Sequence, residues 1–205
     1  MPRLLLATGN PGKVREFRDL LDGCGWQLVT PAEAGLEELE VEETGSSYAE
    51  NARIKAIAYA EASGLPAIAD DSGLEVDGLG GEPGPLHHVR GWDGADNAER
   101  LAIILGRAGA LPPAQRRCRY RAVIVVAFPD GRTFDSAGVC EGVLAETATG
   151  ANGFGYDPLF FVPSAGKMMA ELSPAEKNQI SHRAAAARAI CPKLREAATA
   201  GRDPV

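Results

Sequence analysis

Residues 4–17 read LLLATGNPGKVREF. An apolar run opens the stretch, and Arg3 to Ala7 reads as a buried strand. Asn10 suits a helix N-cap, and Pro11 suits the first helical position. Val14, Phe17, Leu20 and Leu21 then recur at helical spacing, and Gly23 and Gly25 close the helix. A strand running straight into a turn and a helix is the opening of an α/β domain. Such a turn also suits an anion: helix N-terminal N–H groups and the helix dipole point at it. Gly9 and Gly12 let a phosphate approach the backbone. Lys13 sits in the first turn, where a cation is disfavoured unless an anion offsets it. Yet only two residues separate the glycines and Val14 follows the lysine, so the glycine–lysine nucleotide loop is not matched. Nor is the dinucleotide fingerprint G-x-G-x-x-G present. The turn is either an ordinary strand-to-helix connection or a phosphate site whose metal is held elsewhere.

The pattern continues outward from there. Trp26 to Thr30 reads as a second strand. Ser47–Glu50 is a capping box, and Gly64 with Pro66 ends the helix it opens. Leu65 to Ala69 is a short buried strand that stops at Asp70-Asp71. Asn97 to Leu105 is helical. Arg119–Phe128 and Arg132–Glu141 read as antiparallel strands around a Pro129-Asp130-Gly131 turn. A glycine-rich loop spans Thr149 to Pro158. Ser173–Glu176 is a further capping box, and Ser181 caps a last helix running to about Pro192. These elements predict one α/β domain over residues 1–205: a mixed sheet with a parallel core and an antiparallel extension.

The bulk numbers narrow the function. The 205-residue chain is 45% hydrophobic and 24% charged, ordinary for a globular protein with a sizeable core. Its net charge of −7 disfavours general binding to nucleic acid or anionic membrane. The longest plainly apolar run, Ala122–Phe128, is far below the ~20 residues a membrane helix needs. The N-terminus lacks a signal-peptide core. A cytoplasmic protein is expected, and its four scattered cysteines, Cys24, Cys118, Cys140 and Cys191, are expected as free thiols.

Four constellations carry chemistry, each with a plainer reading. Thr8 to Lys13 is the first. The second is acidic, Glu42-Glu43 and Asp70-Asp71-Ser72. Magnesium usually takes one or two carboxylates plus substrate phosphates, and neighbouring strand residues face opposite ways, so one member of each pair should face a site. Otherwise Asp-Asp-Ser-Gly is a polar turn. Lys55 shares a helical stripe with Tyr48, Asn51 or Ala52, and Tyr59; it either reaches inward or lies along an exposed face. Finally, GFGYDP puts Phe154 between two glycines, suited to stacking on a nucleobase, with Asp157 able to accept a base N–H. KNQISHR places Lys177, His182 and Arg183 as donors near a helix start, Arg being suited to a purine O6. Together these are the parts of a nucleotide-processing site.

ATGNPGK, EETGSSYAENARIKA, LPAIADDSGLEVDGLGG-PG, GANGFGYDPLFFVP and GKMMAELSPAEKNQISHR occur in that order from residue 4 to about 190. In these motifs the chain resembles the noncanonical purine nucleoside triphosphate pyrophosphatases, also called inosine/xanthosine triphosphate pyrophosphatases. The resemblance implies an elongated α/β fold with two lobes and a cleft, a homodimer, and Mg²⁺-dependent hydrolysis of ITP, dITP or XTP to the monophosphate and pyrophosphate. It implies that Thr8, Gly9, Asn10, Pro11, Gly12 and Lys13 bind the triphosphate, with Ser72 and Lys55 as further contacts. Glu43 and Asp71 match the metal positions, and Asp71 also matches the general base. Phe154, Gly155, Tyr156, Asp157, Lys177, His182 and Arg183 match the nucleobase pocket. The segment Pro85–Trp92 departs from the family pattern: Arg90 is offset by one residue, and the adjacent His87-His88 lacks metal-ligand spacing.

Arg183 as donor and Asp157 as acceptor complement a 6-oxopurine, and against adenine they are left mismatched. Exclusion of guanine is not explained by this pair. A pyrophosphatase for other modified triphosphates and a non-catalytic nucleotide sensor are the alternatives, though a sensor has no need of a base beside the metal.

Overall fold

The structure, a computed structural model, describes residues 1–86, 92 and 96–200. Strand β1 (Arg3–Leu6) leads into helix α1 (Pro11–Leu20), and β2 (Gln27–Val29) follows. Helix α2 (Tyr48–Ser63), the long strand β3 (Ala67–Val76) and the two-residue β4 (Glu82–Pro83) come next. Then come α3 (Asn97–Ala108), β5 (Arg117–Ala127), β6 (Thr133–Leu144), β7 (Phe160–Val162), β8 (Lys167–Met168), α4 (Pro174–Ile180) and α5 (His182–Ala200). The sheet has eight strands in the order β2-β1-β3-β5-β6-β7-β8, with β4 on β3. β1 is parallel to β2 and β3, with Leu4 opposite Leu28 and Leu5 opposite Ala67. The far side is antiparallel, Val143 opposite Phe161 and Phe161 opposite Met168. The expected parallel core with an antiparallel extension is therefore present.

The chain forms two compact units, one of residues Met1–Asp71, Ala122–Gly138 and Arg183 onward, the other of Ser72–Arg121 and Val139–His182. In the first unit the sheet is covered on both faces. Leu4, Leu6, Ile68, Ile124 and Val126 meet Phe17 and Leu21 from α1 and its end, and Ala186, Ile190 and Leu194 from α5. The alternate residues Leu5, Ala67, Ala69, Val123 and Val125 meet Ala52, Ala56, Tyr59 and Ala60 of α2. Burial on both faces explains why β1 reads as an unbroken apolar run. Each such leucine removed from water stabilises the fold by roughly 1.5–3 kcal/mol. The second unit has its own core, in which Leu74, Val76, Ile104, Tyr120, Leu144, Phe160 and Trp92 are buried together.

Three expectations need correction. β3 does not stop at Asp70-Asp71; it continues through Val76, so the pair lies inside a strand. α5 passes through Pro192 to Ala200. Ile190, Leu194 and Ala198 are buried around that proline, and their burial outweighs the one backbone hydrogen bond it removes. Cys24 and Cys191, 167 residues apart, form a disulfide that ties the segment after α1 to α5. Only Cys118 and Cys140 are free, and both are buried. Among the described residues no helix is long and apolar enough to cross a membrane. The expectations for His87, His88 and Arg90 fall outside the described residues.

Candidate active site

The strand period sets the site in the first unit. Ile68 faces α1 and α5, so Asp70 faces them too; Ala69 faces α2, and so does Asp71. Asp70 lies 3.0 Å from Lys13 Nζ through Oδ1. Its Oδ2 accepts from Arg183 Nε at 3.1 Å and Nη2 at 3.0 Å, a two-pronged bond. Arg183 Nη1 donates to Glu16 of α1. On the other face, Asp71 Oδ2 accepts from Asn51 Nδ2 at 3.2 Å, and Oδ1 is 3.9 Å from Lys55 Nζ. Lys55 Nζ is 2.9 Å from Glu43. Asn51 also accepts from Gly45 N–H at 2.8 Å, so one buried amide ties the Glu43 segment to Asp71. The two aspartates face opposite ways, as expected of neighbouring strand residues, and each lies by its own lysine, Asp70 by Lys13 and Asp71 by Lys55.

Of these charges Lys13, Glu43 and Lys55 line a cavity of ≈ 310 Å³, together with Ala7–Asn10, Val41 and Tyr59. Burial lowers the Lys13 pKa, against the pull of Asp70. Burial alone raises Asp70, but the Arg183 guanidinium and the Lys13 ammonium overcome it and hold the carboxyl far below its usual range. Asp71 moves the other way. Burial, helped by Glu43, raises its pKa despite Lys55 and Lys13. A carboxylate pushed toward neutrality accepts a proton more readily than an ordinary surface one.

The turn differs from the expected backbone cradle. Asn10 Oδ1 accepts from Gly12 N at 2.8 Å and Lys13 N at 3.2 Å, and Thr8 Oγ1 accepts from Asn10 N at 3.2 Å. The capping side chain thus satisfies the helix N–H groups that were expected to meet phosphate, and Pro11 has none. Gly12 is buried, whereas Gly9 is exposed with open space at its Cβ position. Grip on an anion at this turn falls mainly to the two lysines.

The second unit holds the remaining candidates except Arg183. Ser72 follows Asp71 on β3 and is half-buried. Asp157 Oδ2 accepts from Phe154 N at 2.9 Å and lies 2.6 Å from Lys177 Nζ. Lys177, itself buried, sits 4.8 Å from the Phe154 ring centre. Gly153 and Gly155 both have left-handed backbones. A Cβ on Gly153 would stand 2.0 Å from Asp157 Oδ2, so only glycine fits there. Gly153→Ala is predicted to displace Asp157 and raise KM for the substrate about tenfold with little change in kcat; steady-state kinetics checks it. Tyr156 is half-buried against this unit's core. His182 is buried and stacks on Tyr120, ring centres 4.6 Å apart at 14°.

Sequence reading did not single out Glu16 or Tyr120, and it named Asp70 and Asn51 only as members of an acidic pair and a helical stripe. Asn51 had a visible signal, lying four residues before Lys55 on one helix stripe. Arg183 was expected beside the base; three of its nitrogens bond Asp70 and Glu16 in the first unit.

Comparison with known proteins agrees with this architecture. A Ham1 family model matches residues 4–193. A Thermus thermophilus protein named dITP/XTP pyrophosphatase is 48% identical over 188 residues, covering 92% of this chain and 89% of its own. A Bacillus subtilis protein of the same name is 42% identical over 197 residues, covering 96% and 98%. The structure of a HAM1 protein from Coxiella burnetii superposes with a TM-score of 0.84 at 37% identity, covering 96% of this chain and all (100%) of the other. With its sequence matched from the first strand into the last helix, and its fold matched throughout, the chain belongs to the Ham1 family.

Proposed function

We propose that this protein hydrolyses noncanonical purine nucleoside triphosphates, ITP, dITP and XTP, to the monophosphate and pyrophosphate. The observation that carries the reading is the paired charge array, Lys13 with Asp70 and Lys55 with Asp71 and Glu43, of which Lys13, Lys55 and Glu43 line one cavity at the start of α1. The names of the relatives supply the substrate class.

Magnesium fits the residues present. One cation, the Lys55 ammonium, already lies within 2.9 Å of Glu43 and 3.9 Å of Asp71, so both carboxylates reach a shared point. Two carboxylates are what Mg²⁺ usually draws from a protein, with phosphate oxygens and water completing its shell. When bound by Glu43 and Asp71, it supplies charge stabilisation at the phosphates.

The chain's own residues then account for the rest. Asp71 orients a water and takes its proton as the oxygen attacks the α-phosphorus. The bond from the α-phosphorus to the bridging oxygen breaks, and its electrons leave with pyrophosphate. Lys13 and Lys55 are placed to stabilise the charge that grows on the leaving group. Asn51 fixes the Asp71 carboxylate, and Asp70 fixes Lys13. Arg183 works on this side, as the buried tie between Asp70 and α1. Phe154 stacks on the base, while Lys177, held over that ring by Asp157, offers its remaining donors to a 6-oxo group.

Cytoplasmic residence, expected from the sequence pattern, and a homodimer, implied by the family resemblance, belong to the same proposal. Incubating the protein with Mg²⁺ and a panel of nucleoside triphosphates tests the reading. ITP, dITP and XTP should each release pyrophosphate well ahead of ATP; orthophosphate as the product, or equal turnover of ATP, would refute it.

A further inference from the structure

We infer that Tyr120 is a positioning residue for the base-binding half of the site, acting through Asp157 and His182. The inference rests on the functional reading above, which makes Phe154, Asp157, Lys177 and His182 the base-side residues.

Tyr120 lies on β5 and is buried at 6% exposure. Its ring packs between two others: Phe160 at 4.5 Å and 34°, and His182 at 4.6 Å and 14°. A nearly parallel stack fixes the plane of the imidazole as well as its place. The other end of the side chain does separate work. A core ring needs no hydroxyl, and a buried hydroxyl needs a polar partner. Burial, and after it the neighbouring Asp157 carboxylate, push the phenol well above its ordinary range, so the hydroxyl keeps its proton to donate toward Asp157 at neutral pH. Asp157 in turn holds the Phe154 N–H and the Lys177 ammonium. One side chain outside the pocket motifs thus braces two of the elements that carry them, the Phe154–Asp157 turn and the start of α5.

The plainer reading, an aromatic that only fills the core, makes a different prediction. If Tyr120 only filled space, Tyr120→Phe would be silent, because the ring and both stacks remain. As a positioning residue it should raise KM for ITP about three- to fivefold in Tyr120→Phe and about tenfold or more in Tyr120→Leu, with kcat within about twofold. Inorganic tripolyphosphate is the control probe. It occupies the phosphate side alone, so its inhibition constant should stay unchanged in both variants. Wild-type turnover of ITP is read first; its absence overturns the functional reading, and this inference with it. With normal wild-type turnover, an unchanged KM in Tyr120→Phe, or a tripolyphosphate constant that rises in step with KM, overturns the inference alone.

Discussion

Asp71→Asn is expected to lower kcat for ITP about a thousandfold, within the range a positioned general base contributes. KM should change little, because Lys13 and Lys55 keep their places. The amide is nearly the same size as the carboxylate and can still meet Asn51 after its own amide turns. Stability separates this from a structural effect. Asp71 is buried, its pKa is raised first by that burial and then by Glu43, so its charge is costly to the folded protein. Removing the charge should leave the thermal midpoint unchanged or slightly higher. Loss of activity with retained or improved stability marks a group kept for its chemistry. Near-wild-type turnover, or a collapse of the thermal midpoint, would contradict the assignment.

Asp70→Asn should do the opposite and damage the fold. Asp70 and Arg183 are both almost wholly buried, joined through Nε and Nη2, and Lys13 leans on the same carboxylate. Removing one partner of a buried pair typically costs about 3–5 kcal/mol, because the remaining charge stays out of water. Chemical denaturation of Asp70→Asn should show a loss in that range, with kcat/KM reduced as Lys13 shifts. A double-mutant cycle with Arg183→Met sharpens this. With both charges gone, the double variant should be more stable than the sum of the single losses predicts, by about 1.5 kcal/mol or more. Additive losses would mean that the two residues do not act as one unit.

The two aspartates show where the sequence was readable and where it was not. The elements that carry the site were visible because their signals are local. Asn10 and Pro11 start α1, Ser47 starts α2, and Ser173 with Glu176 starts α4. β3 beyond Asp71 was hidden, because a strand that carries three carboxylates and a glycine has no apolar alternation to follow. The charges of Asp70 and Asp71 are satisfied by Lys13, Lys55 and Arg183, up to 113 residues away, and no local pattern records that. The disulfide and the continuation of α5 past Pro192 were hidden for the same reason: each depends on what packs against α5 from the first unit. The short strands β4, β7 and β8 have only two or three residues, too few to show a period.

The candidate site divides similarly. Lys13, Lys55, Glu43 and Asp71 could be named from residue type and motif. Their partners could not, since Asn51 and Asp70 matter through what faces them across the sheet. For Asn10 the local signal was read correctly as a cap, and the structure shows its consequence: the cap occupies the N–H groups that a phosphate would otherwise use.

The claim at the centre of this account is that a water held by Asp71 attacks the α-phosphorus. Hydrolysis of ITP in ¹⁸O-labelled water, with the products analysed by mass spectrometry, tests it directly. The account predicts one labelled oxygen in the inosine monophosphate and none in the pyrophosphate. Label in the pyrophosphate, or in released orthophosphate, would contradict it.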